Sequence, residues 1–272
     1  MCQLKSGLVL KDKVFLPLDY DSHEQMIKEL KLDDTTTNPQ FVRVEITPKD
    51  NDIFNHNLDN WQLKVDQDFK PDWFNEKLAE EEIKEKLSQW FQERFVINRE
   101  IAEIGQGRWY LKNGIIQKLY GTACAEHMRD SSQVGEMWES SQVGVMRDSS
   151  QVGVMRDSSQ VGVMWDRSQV RVMWDRSQVG VMRDRSQVRV MWDRSQVGVM
   201  RDSSQVGEMW ESSQVGVMRD SSQVGVMRDS SQVGVMRDSS QVKNCQGPTP
   251  IIYTPDKTIK LKIWKPKKVK KV

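Results

Sequence analysis

The residues able to support acid–base or nucleophilic chemistry are few and scattered. The only histidines are His23, His56 and His127. Everything after His127 offers Ser and Asp side by side but no imidazole to serve as the base of a triad. Cys2, Cys124 and Cys245 are odd in number, lie in no CxxC pair and have no clustered histidines, so neither a zinc site nor a disulfide framework is indicated. Asp50 and Asp52 with His56 imitate a metal cluster, but their spacing also suits a polar turn, which is the preferred reading. Gly105 and Gly107 in EIGQGRWY lack the third glycine and the preceding hydrophobic strand of a dinucleotide loop. Glu80, Glu81 and Glu82 read as a solvated helix face. No catalytic residue, metal ligand or cofactor is assigned, and the chain is not expected to be an enzyme.

The spacing that does stand out is that of Trp and Arg. A nine-residue phrase, SQVGVMRDS with close variants, recurs thirteen times from Met128 to Val242, and all 15 methionines except Met1 and Met26 lie on its lattice. The residue after each repeat Met is Arg or Trp. Trp138, Trp174, Trp192 and Trp210 share one register of an 18-residue period, whereas Trp165 falls in the other. Arg171 and Arg189, which replace the phrase's Gly, are also 18 apart. Exposed Trp beside Arg is the composition of contact hot spots, so these six residues form the candidate binding surface. The competing reading is that the indoles cover one another and stiffen the array.

A strict short period is the mark of a stacked repeat, in which no unit buries its apolar side alone. Gly in most copies, β-branched Val and Ser-rich joints disfavour helix. Nine residues are too few to close a coil around a filled interior, so two phrases per turn are expected: a mainly β chain forming a β-solenoid of 18 residues per coil, about six coils long and of open handedness. The invariant Val, Met and Ser should face inward. Because Val and Met are three apart, strict alternation fails and a bend at Gly-Val is implied, with a second bend at Asp-Ser. A rival register runs one strand through Gln-Val-Gly-Val-Met, which by alternation would point Glu136 and Glu208 into the core. Ladders of Ser and Gln are expected to hydrogen-bond along the stack, and Arg columns to offset the repulsion of Asp columns.

Calcium-binding nonapeptide solenoids use a GGxGxD turn. The present phrase has at most one Gly, beside Val, so its Asp residues are read as structural. A disulfide between Cys124 and Cys245 is excluded if the stack is straight, because its ends would lie about 30 Å apart at roughly 4.8 Å per coil.

The domain reading is 1–126 as an N-terminal α+β capping domain, 127–242 as the solenoid, and 243–272 as a C-terminal β-hairpin cap with a basic tail. In the first segment Ser22 and Gln25 form a capping box opening a short helix with Met26, Ile27 and Leu30 on one side. FVRVEITP and WQLKVDQDF alternate as strands. A helix over about Asp72 to Phe95 has Ile83, Leu87, Trp90 and Phe91 inside, with Glu80–Lys84 and Glu82–Lys86 pairs outside. RWYLKNGIIQKLYG reads as a hairpin around Asn113-Gly114. In the last segment two strands meet at Pro255-Asp256-Lys257.

Charge is nearly balanced, at +1. Residues 1–127 carry 17 Lys and Arg against 23 Asp and Glu, while the stretch from Asp256 carries eight Lys against one Asp. Lys265, Lys267, Lys268, Lys270 and Lys271 either block pairing at an open solenoid end or, as the alternative function, contact nucleic acid. No apolar run is long enough to cross a bilayer, and no secretory h-region follows MCQLKSGLVLKDK. The chain is read as soluble and cytoplasmic, without a membrane partner.

The order of MCQLKSGLVLKDKVF, VDQDFKPDWF before a charged helix, GRWYLKNG and MWES/SQV-type nonapeptides resembles a family of uncharacterised bacterial and phage proteins in which such a module and repeat occur together. The resemblance covers most of the chain. It implies a bacterial or phage-infected cell and carries no catalytic residues. The function expected is that of a scaffold or interaction protein whose Trp/Arg ladder meets a protein, a glycan or further copies of itself.

Overall fold

The computed structural model describes residues 5–35 and 39–246 and the backbone of Ile251–Tyr253. The turn expected at Pro255-Asp256-Lys257, the strand after it, the basic tail and Cys2 lie outside the described residues. The chain divides into two compact units, Met1–Phe95 and Val96–Val272.

The first unit is a four-stranded antiparallel sheet with two helices. Strands β1 (Lys5–Leu10), β2 (Val14–Phe15), β3 (Phe41–Pro48) and β4 (Trp61–Val65) lie in the order β2-β1-β3-β4. Helix α1 spans His23–Glu29, and its N-cap Ser22 accepts a hydrogen bond from the Gln25 amide as the capping box requires. Helix α2 spans Glu76–Arg94 and buries Ala79, Ile83, Leu87, Trp90 and Phe91. It starts four residues later than the sequence suggests because Asn75 accepts from the Lys77 and Leu78 amides and so sets the helix origin. Glu80 pairs with Lys84 at 3.4 Å. Glu82 instead accepts the Val14 amide at 2.7 Å, tying α2 to β2.

The second unit is a β-solenoid of about eight turns with 18 residues per coil. Its strands are β5 (Phe95–Ile97), β6 (Glu100–Ile104), β7 (Arg108–Lys112), β8 (Ile115–Leu119), β9 (Cys124–Arg129) and β10 (Gln133–Met137). From there one strand begins every nine residues, from β11 (Gln142–Met146) to β22 (Gln241–Gln246), with β23 at Ile251–Tyr253. Even-numbered strands form a nine-stranded sheet and odd-numbered strands a ten-stranded one. All neighbours within the array are parallel and in register at i, i+18, as in Gln151↔Gln169 and Met155↔Met173.

The coils begin upstream of the perfect repeats. The expected hairpin around Asn113-Gly114 is not formed: β7 pairs in parallel with β9, while β8 pairs with β10 in the other sheet. Asn113 is left-handed, at φ 50°, in the place that Asp takes in later coils, and it turns the chain between sheets rather than back along one. Ile116 and Leu119 stand in register with Val134 and Met137, and Ala125 and Met128 with Val143 and Met146. An apolar pair three residues apart therefore marks a coil even where the phrase has lost its wording.

Both proposed strand registers capture part of the array. One strand does run through Gln-Val-Gly-Val-Met, yet its first Val and its Met both face inward: each such Val is at most 3% exposed and each Met at most 1%. Alternation breaks between Gly and the second Val, so Glu136 and Glu208 stay out of the core. The break brings successive coils close together. A Cβ on Gly153 would stand 2.4 Å from the Gly135 carbonyl oxygen. Arg171 and Arg189 occupy the same place, so the close approach favours glycine without requiring it.

The turns correct the expected side-chain ladders. Asp148, Asp157 and their counterparts hold φ between 52° and 58°, a conformation open to Asp because its short side chain can bond locally. From Asp148 to Asp238 each Asp carboxylate reaches one coil back: Asp130 N donates to Asp148 Oδ2 at 3.1 Å and Asp148 N to Asp166 Oδ2 at 3.1 Å. Carboxylates, not Ser or Gln side chains, make the hydrogen-bonded column. The Ser that ends each turn is buried, but Ser132 Oγ donates within its own turn, to the Arg129 carbonyl at 2.6 Å. From Ser141 to Ser231 the hydroxyls have no partner. Nor do Arg columns neutralise Asp columns by contact, since among the described residues no Arg from Arg147 to Arg237 forms an ion pair.

Candidate functional site

The residue after each repeat Met ends the strand or opens the turn, and 18-residue neighbours at this place lie one above another. After the even strands the column reads Tyr120, Trp138, Arg156, Trp174, Trp192, Trp210, Arg228. Trp174 and Trp192 stack at 5.3 Å and 8° between ring planes, and Trp192 and Trp210 at 4.7 Å and 16°. The Arg228 guanidinium covers the Trp210 face at 4.1 Å. Trp138 is in the predicted register but outside the triple stack, because Arg156 occupies the rung between. Arg156 lies over Trp138 at 4.9 Å, and Lys118 lies 5.7 Å from the same ring. Trp165 sits in the other column between Arg147 and Arg183, at 5.8 and 4.5 Å.

The column thus spends most of its indole faces internally, the Trp174 face towards Arg156 excepted. Guanidinium planes over Trp138, Trp165 and Trp210 and indole planes over one another fill the roughly 4.8 Å rise, so the column offers mainly indole edges. Glu136 and Glu208 now have a local explanation. Trp138 Nε1 donates to Glu136 Oε2 at 2.7 Å and Trp210 Nε1 to Glu208 Oε2 at 3.0 Å. The Glu-Met-Trp tripeptide recurs at both places, a signal that sequence reasoning passed over.

Arg171 and Arg189 stand exposed on adjacent rungs of the nine-stranded sheet. They rise from a shallow groove lined by Gln151, Gln169, Gln187, Gln205, Gly153 and Gly207. Neither guanidinium has an ion-pair partner among the described residues. The place of each is three residues before a stacked Trp, so sheet face and indole column adjoin.

Other chemistry-bearing residues resolve into structural roles. Asp50 accepts from Asn55 Nδ2 and Asn60 Nδ2, each at 2.7 Å, and from the Asp52 amide at 2.9 Å. The bond from Asn55, then those from Asp52 and Asn60, hold its carboxyl below the ordinary value. His56 stacks on Phe91 at 4.1 Å. Gly107, at φ 83°, takes the chain between β6 and β7. Burial and the adjacent Glu126 push the Cys124 thiol up to about 12, which makes it a poor nucleophile. Cys124 and Cys245 are free, on different sheets. Among the described residues no three His, Cys, Asp or Glu are grouped to hold a metal, and no helix is long and apolar enough to cross a membrane.

Comparison with protein-family models, with curated proteins and with solved structures found no match.

Proposed function

We propose that this chain is a non-enzymatic scaffold or interaction protein of the cytoplasm of a bacterial or phage-infected cell, whose solenoid presents a Trp/Arg ladder to a protein or glycan. The observation that carries this reading is the placement of two unpaired guanidiniums, Arg171 and Arg189, on adjacent rungs beside the Trp174–Trp192–Trp210 stack. Every rung is locked to its neighbours by backbone bonds, so the backbone of this surface is ordered before any partner arrives and only side-chain freedom is lost on contact. Because most indole faces are covered, contact falls mainly to the guanidinium forks, the Gln amides and the indole edges.

The test uses the array's own alternative residue. Arg171→Gly with Arg189→Gly restores the phrase found on other rungs and should leave the melting temperature unchanged. Retention of a host protein or of an acidic glycan on immobilised wild-type chain, lost with this pair, supports the reading. Equal retention by both chains, or by neither, overturns it.

A further inference from the structure

The two faces of the solenoid differ in one respect that the ladder does not explain. All the array's charged replacements of Gly and of the second Val, namely Glu136, Arg171, Arg189 and Glu208, lie on the nine-stranded sheet. On the ten-stranded sheet, β11, β13, β15, β17, β19 and β21 read Gln-Val-Gly-Val-Met without exception. Its outward positions over six consecutive rungs are therefore Gln, Gly and Val only. The first charges on that face appear at the N-terminal limit, where Arg108 pairs with Glu126 at 2.7 Å.

From this asymmetry we propose that the ten-stranded face is the interface between two copies of this chain. A β face without charged side chains lacks the surface charges that keep copies apart in solution. The rise from rung to rung, about 4.8 Å, is necessarily equal in a second copy, so contacts made on one rung repeat on all six. A two-fold axis parallel to the stack reverses strand direction across the interface and lays the Gln column of each copy along the Val column of the other. That contact is isologous and closes at two copies. Five-residue strands of roughly 3.3 Å per residue over six rungs give about 480 Å² of projected face per copy. Together the copies bury about 1,000 Å², the lower limit for a specific interface, so the dimer is expected to be weak and concentration-dependent. The surface is distinct from the Arg171–Arg189 groove on the opposite sheet.

The experiment is sedimentation equilibrium of the full chain over a concentration series. The mass should rise from 31.7 kDa towards twice that value. Val181→Lys with Val199→Lys, at the centre of the face, should hold the mass at the monomer value. Val172→Lys with Val190→Lys makes the same change at the same phrase position on the opposite sheet and should dimerise like wild type. If the first pair melts below the second, Gln178→Glu with Gln196→Glu replaces it, and again only a monomeric mass supports the interface. A constant monomer mass for wild type, or equal loss of association from both sheets, overturns the proposal. Arg171→Gly with Arg189→Gly should leave dimerisation intact, which separates failure of this interface from failure of the ladder reading.

Discussion

Replacing Asp148 separates the two demands that its turn makes on the residue. The backbone sits at φ 57°, and the carboxylate accepts the Asp130 amide at 3.1 Å. Ala meets neither demand: it carries a left-handed penalty of about 1–2 kcal/mol and loses a hydrogen bond contributing about 1 kcal/mol. Asp148→Ala should therefore cost about 2–3 kcal/mol. Gly relieves the backbone but not the bond, and should cost about 1 kcal/mol at most. Asn tolerates the conformation, keeps an acceptor oxygen and removes one charge from the Asp column, so Asp148→Asn should be neutral or slightly stabilising. Denaturant unfolding gives the order Asn, Gly, Ala. Amide exchange adds a local readout, because Asp130 N–H should lose protection in the Ala and Gly variants but not in the Asn variant. If Asp148→Ala unfolds with Asp148→Asn, the carboxylate column does not hold the turns and the account of why Asp recurs there is wrong.

Met182, wholly buried between Met164 and Met200, should cost about 2–5 kcal/mol as Met182→Ala, while half-buried Val181→Ala should cost far less; equal losses in a thermal melt would contradict the assigned inward face. Glu211 has its carboxyl raised above the ordinary value, first by a hydrogen bond with Asp193 and then by Coulomb repulsion from it. A raised acid favours the folded state below its unfolded value and loses that contribution as pH climbs through the folded one. Glu211→Gln should thus stabilise the protein at neutral pH and flatten the melting profile across the mildly acidic range, and an unchanged profile would refute the raised carboxyl. Burial, opposed by Glu126 and reinforced by Arg129, Arg147 and Arg108, lowers the His127 imidazole from 6.5 to about 4. Its contribution is present above 6.5 and is lost as pH falls towards 4; an NMR titration midpoint near 6.5 would show that the ring is not buried as described.

Periodicity alone was enough to establish the solenoid, its 18-residue coil, its inward Val and Met and the shared register of Trp174, Trp192 and Trp210. In a stack, residues one period apart must be vertical neighbours, so a repeat converts spacing into contact directly. The capping box at Ser22 and the inner stripe of α2 were equally plain, since both are local patterns. Only the tertiary structure could show that Asn113 turns the chain into the other sheet, because a left-handed Asn serves a hairpin and a coil corner alike and the partner strand decides between them. The same holds for Glu82, diverted from Lys86 to the Val14 amide, and for the Asp columns, whose acceptors act across coils rather than on nearby Arg. It also separated the charged groove of Arg171 and Arg189 from the bare face opposite, because phrase positions become surfaces only once alternate strands are sorted into two sheets.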